Sequence, residues 1–193
     1  MFKLLTNPAW LFTDRKIAVV VSDSVIDILE FDRHIKAKKY HNLKIFEPFC
    51  LSNRDDVSKP IVALIEQLLR VLQPNFTFSY IDETYPKITS LLYTLMTSTD
   101  DVIYIPFIEE GIHPSLLITI IELLTKTDNK YLITTNSPYV LDNFMPNAII
   151  KIKAREGLVD ENSKDFEYKA ITDNYNNWLE YYTTGQLWLK GIL

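Results

Sequence analysis

The segments Asp101-Val-Ile-Tyr-Ile-Pro-Phe-Ile108, His113-Pro-Ser-Leu-Leu-Ile-Thr-Ile-Ile-Glu-Leu-Leu124 and Lys130-Tyr-Leu-Ile-Thr-Thr135 follow one another with only short links between them. The first and third are continuous apolar runs of strand length, the pattern of strands buried on both faces. The middle segment opens on Pro114 and is apolar around most of its circumference, so it predicts a helix covered on its outer side as well as its inner one. Strand, helix, strand in that order is a βαβ unit, and it places a parallel sheet at the centre of a layered α/β core.

Outward from this unit the pattern continues in both directions. Phe76-Thr-Phe-Ser-Tyr-Ile81 alternates like a strand, and Pro86 opens a helix to about Thr97 through Ile88, Leu91, Leu92 and Leu95. Farther upstream, Ser58 and Pro60 start an amphipathic helix to Leu72, and Leu43-Lys-Ile-Phe46 predicts a short strand. Lys16-Ile-Ala-Val-Val-Val-Ser-Asp-Ser-Val-Ile-Asp-Ile-Leu-Glu-Phe31 sets two β-branched runs around a Ser-Asp-Ser turn and predicts a β-hairpin. Downstream, Asn147 to Lys153 extends the sheet, Ala154 to Asp165 reads as a loop, and a helical tail begins at Thr172.

The 193 residues, 47% hydrophobic and 12% aromatic, suffice for one domain with a sizeable core. The longest strongly apolar run, Leu116 to Leu124, is far shorter than the roughly 20 residues a membrane-crossing helix needs, and Pro8 breaks the N-terminal apolar patch. A cytoplasmic protein with no membrane association is expected. The lone cysteine, Cys50, excludes an internal disulfide and any multi-cysteine zinc site, and reads as a small buried hydrophobe. A net charge of −5 supplies no global field for phosphate backbones, so direct nucleic-acid binding is not expected. The one dense basic run, Arg33 to His41, reads as a solvated loop or strand edge.

Two motifs flank the central helix: Gly111-Ile-His-Pro114 before it and Thr134-Thr-Asn-Ser-Pro138, followed by Tyr-Val-Leu-Asp142, after it. Together with the strand and helix they resemble the Walker B to switch-loop region of ABC-type ATPases, in the stand-alone AAA-type cores related to repair and Old-nuclease proteins. The resemblance covers about a quarter of the chain. A weaker similarity places Asp82-Glu-Thr-Tyr-Pro-Lys-Ile-Thr-Ser-Leu-Leu92 where that family carries its glycine-containing signature, and Tyr181-Tyr-Thr-Thr-Gly-Gln-Leu-Trp188 resembles tails of some of its members. It implies an α/β fold: a three-layer P-loop-NTPase-like domain with a mostly parallel sheet, here with the N-terminal β-hairpin. Residues 1–193 then form a single ATPase-like domain, with a β-rich part at about 1–50, the motif-bearing core at about 75–153 and the helical tail at about 172–193.

The chemistry of that family is incomplete here. A P-loop needs glycines whose bare N–H groups wrap phosphate oxygens, a lysine against their charge and a hydroxyl for Mg²⁺. Gly111, Gly157, Gly185 and Gly191 are the only glycines, and none precedes Lys-Ser or Lys-Thr at the required spacing. Aligned without gaps on His113-Pro114, the positions of the family's metal-organising aspartate and water-activating glutamate hold Pro106 and Phe107. A gapped alignment puts Glu109 and Glu110 there instead, at the carboxyl end of the strand. The ungapped reading is preferred because the gapped one shortens the loop and crowds the helix start. Asn136 stands where the switch histidine would be, and it hydrogen-bonds without ever becoming an imidazolium.

With these losses the resemblance implies a pseudo-enzyme: a degenerate ABC-type ATPase-like protein, non-hydrolysing, acting as a binding or regulatory subunit toward a protein partner. The alternative is a half-site that binds ATP and Mg²⁺ only when a partner chain supplies the P-loop. Vestigial catalytic candidates are Glu109, Glu110 and Asn136, and vestigial nucleotide-binding candidates are Gly111, His113, Thr135 and Ser137. No cofactor is expected for the chain alone and no metal site. Each candidate has a plainer reading: His113 as helix N-terminal packing, Glu109 and Glu110 as solvated strand ends, and Ser137 outside any Gly-x-Ser-x-Gly elbow. Trp178, Tyr181, Tyr182, Leu187 and Trp188 read as an aromatic tail packed on the sheet or facing a partner.

Overall fold

Val102–Ile105 and Lys130–Thr134, the two outer segments of the central unit, are neighbouring parallel strands in a computed structural model of the chain. The structure describes residues 3–5, 16–38, 40, 42–49, 58–72, 84–98, 102–154, 166–170 and 176–192. In chain order the elements are β1 (Lys3–Leu5), β2 (Ile17–Val21), α1 (Val25–Lys38), β3 (Leu43–Ile45), α2 (Lys59–Leu72), α3 (Thr84–Thr97) and β4 (Val102–Ile105). There follow α4 (Pro114–Lys126), β5 (Lys130–Thr134), α5 (Pro138–Leu141), β6 (Ile149–Ala154), β7 (Phe166–Ala170), α6 (Asn176–Leu179) and α7 (Thr184–Leu189). The strands form one sheet in the order β1-β7-β6-β2-β5-β4-β3. From β6 to β3 every pairing is parallel, and β7 and β1 complete the other edge antiparallel.

Alternation along the parallel strands builds two cores. On one face Val19, Val21, Ile103, Ile105, Tyr131 and Ile133 meet α2, α3, α4 and α5 through Ile65, Leu69, Leu91, Leu116, Ile120 and Val140. On the other, Ala18, Val20, Tyr104, Leu132, Ile150 and Ile152 meet Phe31 and Ile35 of α1. The molecule is therefore a three-layer, P-loop-like α/β fold with a buried, mostly parallel sheet. No helix of the described residues is long and apolar enough to cross a membrane.

The hairpin expected over Lys16 to Phe31 is replaced by a strand, a three-residue turn and a helix. The β-branched run at Val25-Ile26 favours a strand locally, but Ile28, Phe31 and Ile35 lie at helical spacing and are fully buried against the sheet. Asp27 in the first turn and Lys36 and Lys38 in the last complement the helix dipole. The basic run thus begins within the last turns of α1 rather than in a loop or strand edge, and the described residues among the first fifty mix strand and helix. Strand β7 stands between the expected loop and the helical tail. Cys50, the strand expected over Phe76 to Ile81, the Asp82-Glu83 start of the signature-like segment and the loop residues 155–165 lie outside the described residues.

Candidate functional site

The direction of the connections decides where a ligand crevice can open. From β2 the chain leaves over one face through α1 to β3 at the far edge, and it returns by β4, α4 and β5 over the opposite face. Open α/β sheets hold ligands outside the carboxyl ends of the strands where such connections diverge. A cavity of about 540 Å³ lies there, between α1 and the segments that follow β3, β4 and β5.

Its floor is the tight turn after β4. Phe107 adopts φ +44, a left-handed conformation that costs a residue with a Cβ on the order of 1–3 kcal/mol. Three contacts from Thr134 and Lys87 hold it, together with the Glu110 N–H on the Phe107 carbonyl (3.0 Å). The Phe107 N–H donates to Thr134 Oγ1 (2.9 Å), the Ile108 N–H donates to the Thr134 carbonyl (3.2 Å), and Lys87 Nζ donates to the Phe107 carbonyl (2.9 Å). Lys87, from α3 and only 8% exposed, also donates to the Glu110 carbonyl. Burial pushes its pKa below the ordinary lysine value, against the pull of Glu110 and Glu109.

The turn swings Glu109 back over the strand ends, where its Oε1 accepts the Asn136 N–H at 2.9 Å. Its Oε2 is buried and makes no hydrogen bond. On the α1 wall, Asp32 accepts from the buried Tyr104 hydroxyl (3.1 Å) and pairs with Lys36 (2.8 Å). Burial first, and Asp32 second, raise the Tyr104 phenol well above its usual range.

The sequence candidates separate accordingly. Glu109 and Asn136 meet, and Glu110 lines the same cavity. Pro106 and Phe107 follow directly on β4, and of the two glutamates beyond them Glu109 is the one whose carboxylate accepts from Asn136. His113 is exposed and caps α4, its Nδ1 accepting the Ser115 N–H at 3.3 Å, while Gly111 supplies a positive φ in the loop before it. Thr135 is fully buried and accepts the Ser137 N–H at 3.0 Å, and Ser137 is the N-cap position of α5. These four hold the loops that frame the crevice. Sequence reasoning missed Lys87, Asp32 and Lys36. Their signal was helical phase: Asp32 and Lys36 sit one turn apart on a helix that was read as strand and loop.

The β2–α1 turn occupies the place where a phosphate loop would have to sit. Ser22, Asp23 and Ser24 join strand to helix directly, with Ser22 Oγ donating to Asp27 Oδ2 (3.0 Å) and accepting the Ser24 N–H (3.2 Å). Asp23 pairs with Lys151 of β6 at 2.8 Å. A free helix N-terminus attracts anions, but here Asp27 puts a carboxylate inside the first turn and Ser22 takes up a backbone donor. The residues of this turn do not fit a triphosphate. Among the described residues no group of three or more His, Cys, Asp or Glu side chains is arranged to hold a metal ion.

The aromatic tail is packed in part. Leu187 is buried in the main core with Tyr182 and Trp188 against it, whereas Trp178 and Tyr181 are largely exposed. No protein-family model matches the chain, and no curated protein matches it.

Proposed function

We propose that this chain is a degenerate ABC-type ATPase-like protein that does not hydrolyse ATP and acts as a binding or regulatory subunit for a protein partner. The observation that carries the reading is the β2–α1 turn with the first turn of α1, which hold Asp23 and Asp27 where a nucleotide site needs main-chain donors and a lysine. Phosphoryl transfer depends on positioned positive charge and a held metal, and this turn offers the opposite sign. Exposed Val25, Ile26 and Leu29 on α1, beside the mouth of the crevice, supply apolar surface for a partner. The chain is read as cytoplasmic, without direct nucleic-acid binding.

One observation favours a second reading, the half-site. Glu109 and Asn136 stand together at the carboxyl ends of adjacent strands, where they could face a nucleotide held by another chain's P-loop. Phosphate release from ATP·Mg²⁺, measured for the purified chain alone and after addition of proteins captured from its native host, separates the two. The subunit reading expects no release in either case. Release that needs both components selects the half-site, and release by the chain alone overturns both.

A further inference from the structure

A carboxylate oxygen removed from water and left without a donor is costly, so native structures provide a partner for it. Glu109 Oε2 is such an atom: Oε1 of the same group is fixed by the Asn136 N–H, and Oε2 is buried with no hydrogen bond, on a side chain that lines the cavity. The two ammonium groups that line the cavity are otherwise engaged. Lys87 donates to the carbonyls of Phe107 and Glu110, and Lys36 pairs with Asp32.

Asp32, Glu109 and Glu110 face Lys36 and Lys87, which leaves one excess negative charge in the crevice. An anionic ligand is therefore opposed. The remaining walls, Val25, Leu29, Phe46, Pro48 and Phe107, are apolar. The cavity's volume, about 540 Å³, falls within the range of small-molecule sites.

We propose that this crevice takes an organic cation, an ammonium or guanidinium group on an apolar stem, with the charged end on Glu109 Oε2 and the stem along the α1 and Phe107 walls. The charged end donates the hydrogen bond that Oε2 lacks and cancels the excess charge. A charge-assisted pair of this kind is the stronger class of hydrogen bond. The cation has two possible sources, a free small amine or guanidine and an arginine or lysine side chain of a protein partner. The inference stands on the crevice and not on the reading of the β2–α1 turn.

The test titrates the chain with n-butylguanidine, as a free guanidinium on an apolar stem, and with N-acetyl-arginine methylamide, as a side chain on a capped backbone. Butyric acid serves as the anionic control. The amide resonance of Asn136, which rests on the same carboxylate, is followed by NMR in the wild type. Saturable movement of that resonance with either cation, and none with butyric acid, supports the proposal. Tighter binding of n-butylguanidine points to a free ligand, and tighter binding of the capped arginine to a partner side chain. Glu109→Gln keeps an oxygen for Asn136 and replaces the unpaired one with a donor, so it weakens binding at least tenfold. Glu122→Gln, on exposed helix surface, leaves binding unchanged.

An Asn136 resonance unmoved by both cations overturns the proposal, as does equal affinity for Glu109→Gln and wild type. A crystal soaked at saturating n-butylguanidine with only water on Oε2 overturns it as well. Binding of ATP by the chain alone would defeat the subunit reading and leave this result standing, so the two failures are distinguishable.

Discussion

Replacing Lys87 by methionine removes the ammonium group under the crevice while keeping an unbranched, flexible stem in its buried slot. Lys87 Nζ serves two backbone carbonyls, those of Phe107 and Glu110. Charged hydrogen bonds contribute roughly 1.5–3 kcal/mol each, but the downward shift of the Lys87 pKa means that burial already opposes the charge. Glu110 is exposed, so water can take over its carbonyl. The Phe107 carbonyl keeps the Glu110 N–H at 3.0 Å but loses its charged donor, at a cost of about 1–3 kcal/mol. A net loss of about 2 kcal/mol follows, which at a urea m-value of about 2 kcal/mol/M moves the unfolding midpoint down by about 1 M.

The pH dependence gives the experiment a second arm. The folded-state pKa of Lys87 lies below the unfolded value of 10.5, so between the two the unfolded chain binds more protons. This group's contribution to wild-type stability therefore rises with pH through that window, and the rise is absent from Lys87→Met. Urea melts of both proteins at pH 7 and at intervals to pH 10 read both arms. A midpoint within about 0.2 M of wild type at pH 7 would refute the assignment of Lys87 as the support of the Phe107 turn. Parallel pH curves for the two proteins would refute the buried-ammonium reasoning.

Other perturbations probe the same frame. Thr134→Val keeps the shape of a fully buried side chain but strips the acceptor from the Phe107 N–H, and about 1–3 kcal/mol of stability should go with it in the same urea assay. Gly185→Ala drives a Cβ to 2.2 Å from the Pro138 carbonyl oxygen and 2.7 Å from its carbon, backbone atoms that cannot step aside. It also disturbs the Gly185 N–H bond to Asp142 Oδ1 (2.6 Å), so α7 should loosen from α5. Overpacking of about 1–3 kcal/mol would lower Tm by roughly 3–9 °C, and limited proteolysis should cut the tail first. An unchanged melting curve for Gly185→Ala would show that the α5–α7 contact is not as tight as described.

The central βαβ unit was legible because its strands are buried on both faces and its helix is apolar nearly all round, so periodicity and length agree. Helix α1 was not. Val25-Ile26-Asp27-Ile28 reads locally as strand, and only contact with the sheet through Ile28, Phe31 and Ile35 decides for helix. Asp32 blurs the pattern further, a carboxylate that is buried because the Tyr104 hydroxyl and Lys36 reach it from elsewhere. Strand β7 is short and is held between Ile150 to Ala154 of the preceding strand and Lys3 to Leu5, which are far away in sequence. The reach of Glu109 into the crevice depends on a left-handed Phe107, and a bulky residue gives no local sign of that conformation. Glu109 and Asn136 could be nominated from sequence but not brought together, since their meeting rests on the β4–β5 register.

At the Ser22-Asp23-Ser24 connection and the helix turn after it, Asp23, paired with Lys151, and Asp27, bonded by Ser22, stand where a phosphate cradle needs free main-chain donors and a lysine. Calorimetric titration of ATP·Mg²⁺ into the purified chain, with no other protein present, tests this most directly. The expected result is no saturable heat up to about 1 mM nucleotide, equivalent to a binding free energy weaker than about −4 kcal/mol. A saturable isotherm with a micromolar Kd that survives Glu109→Gln would place a nucleotide on the β2–α1 turn and contradict the account.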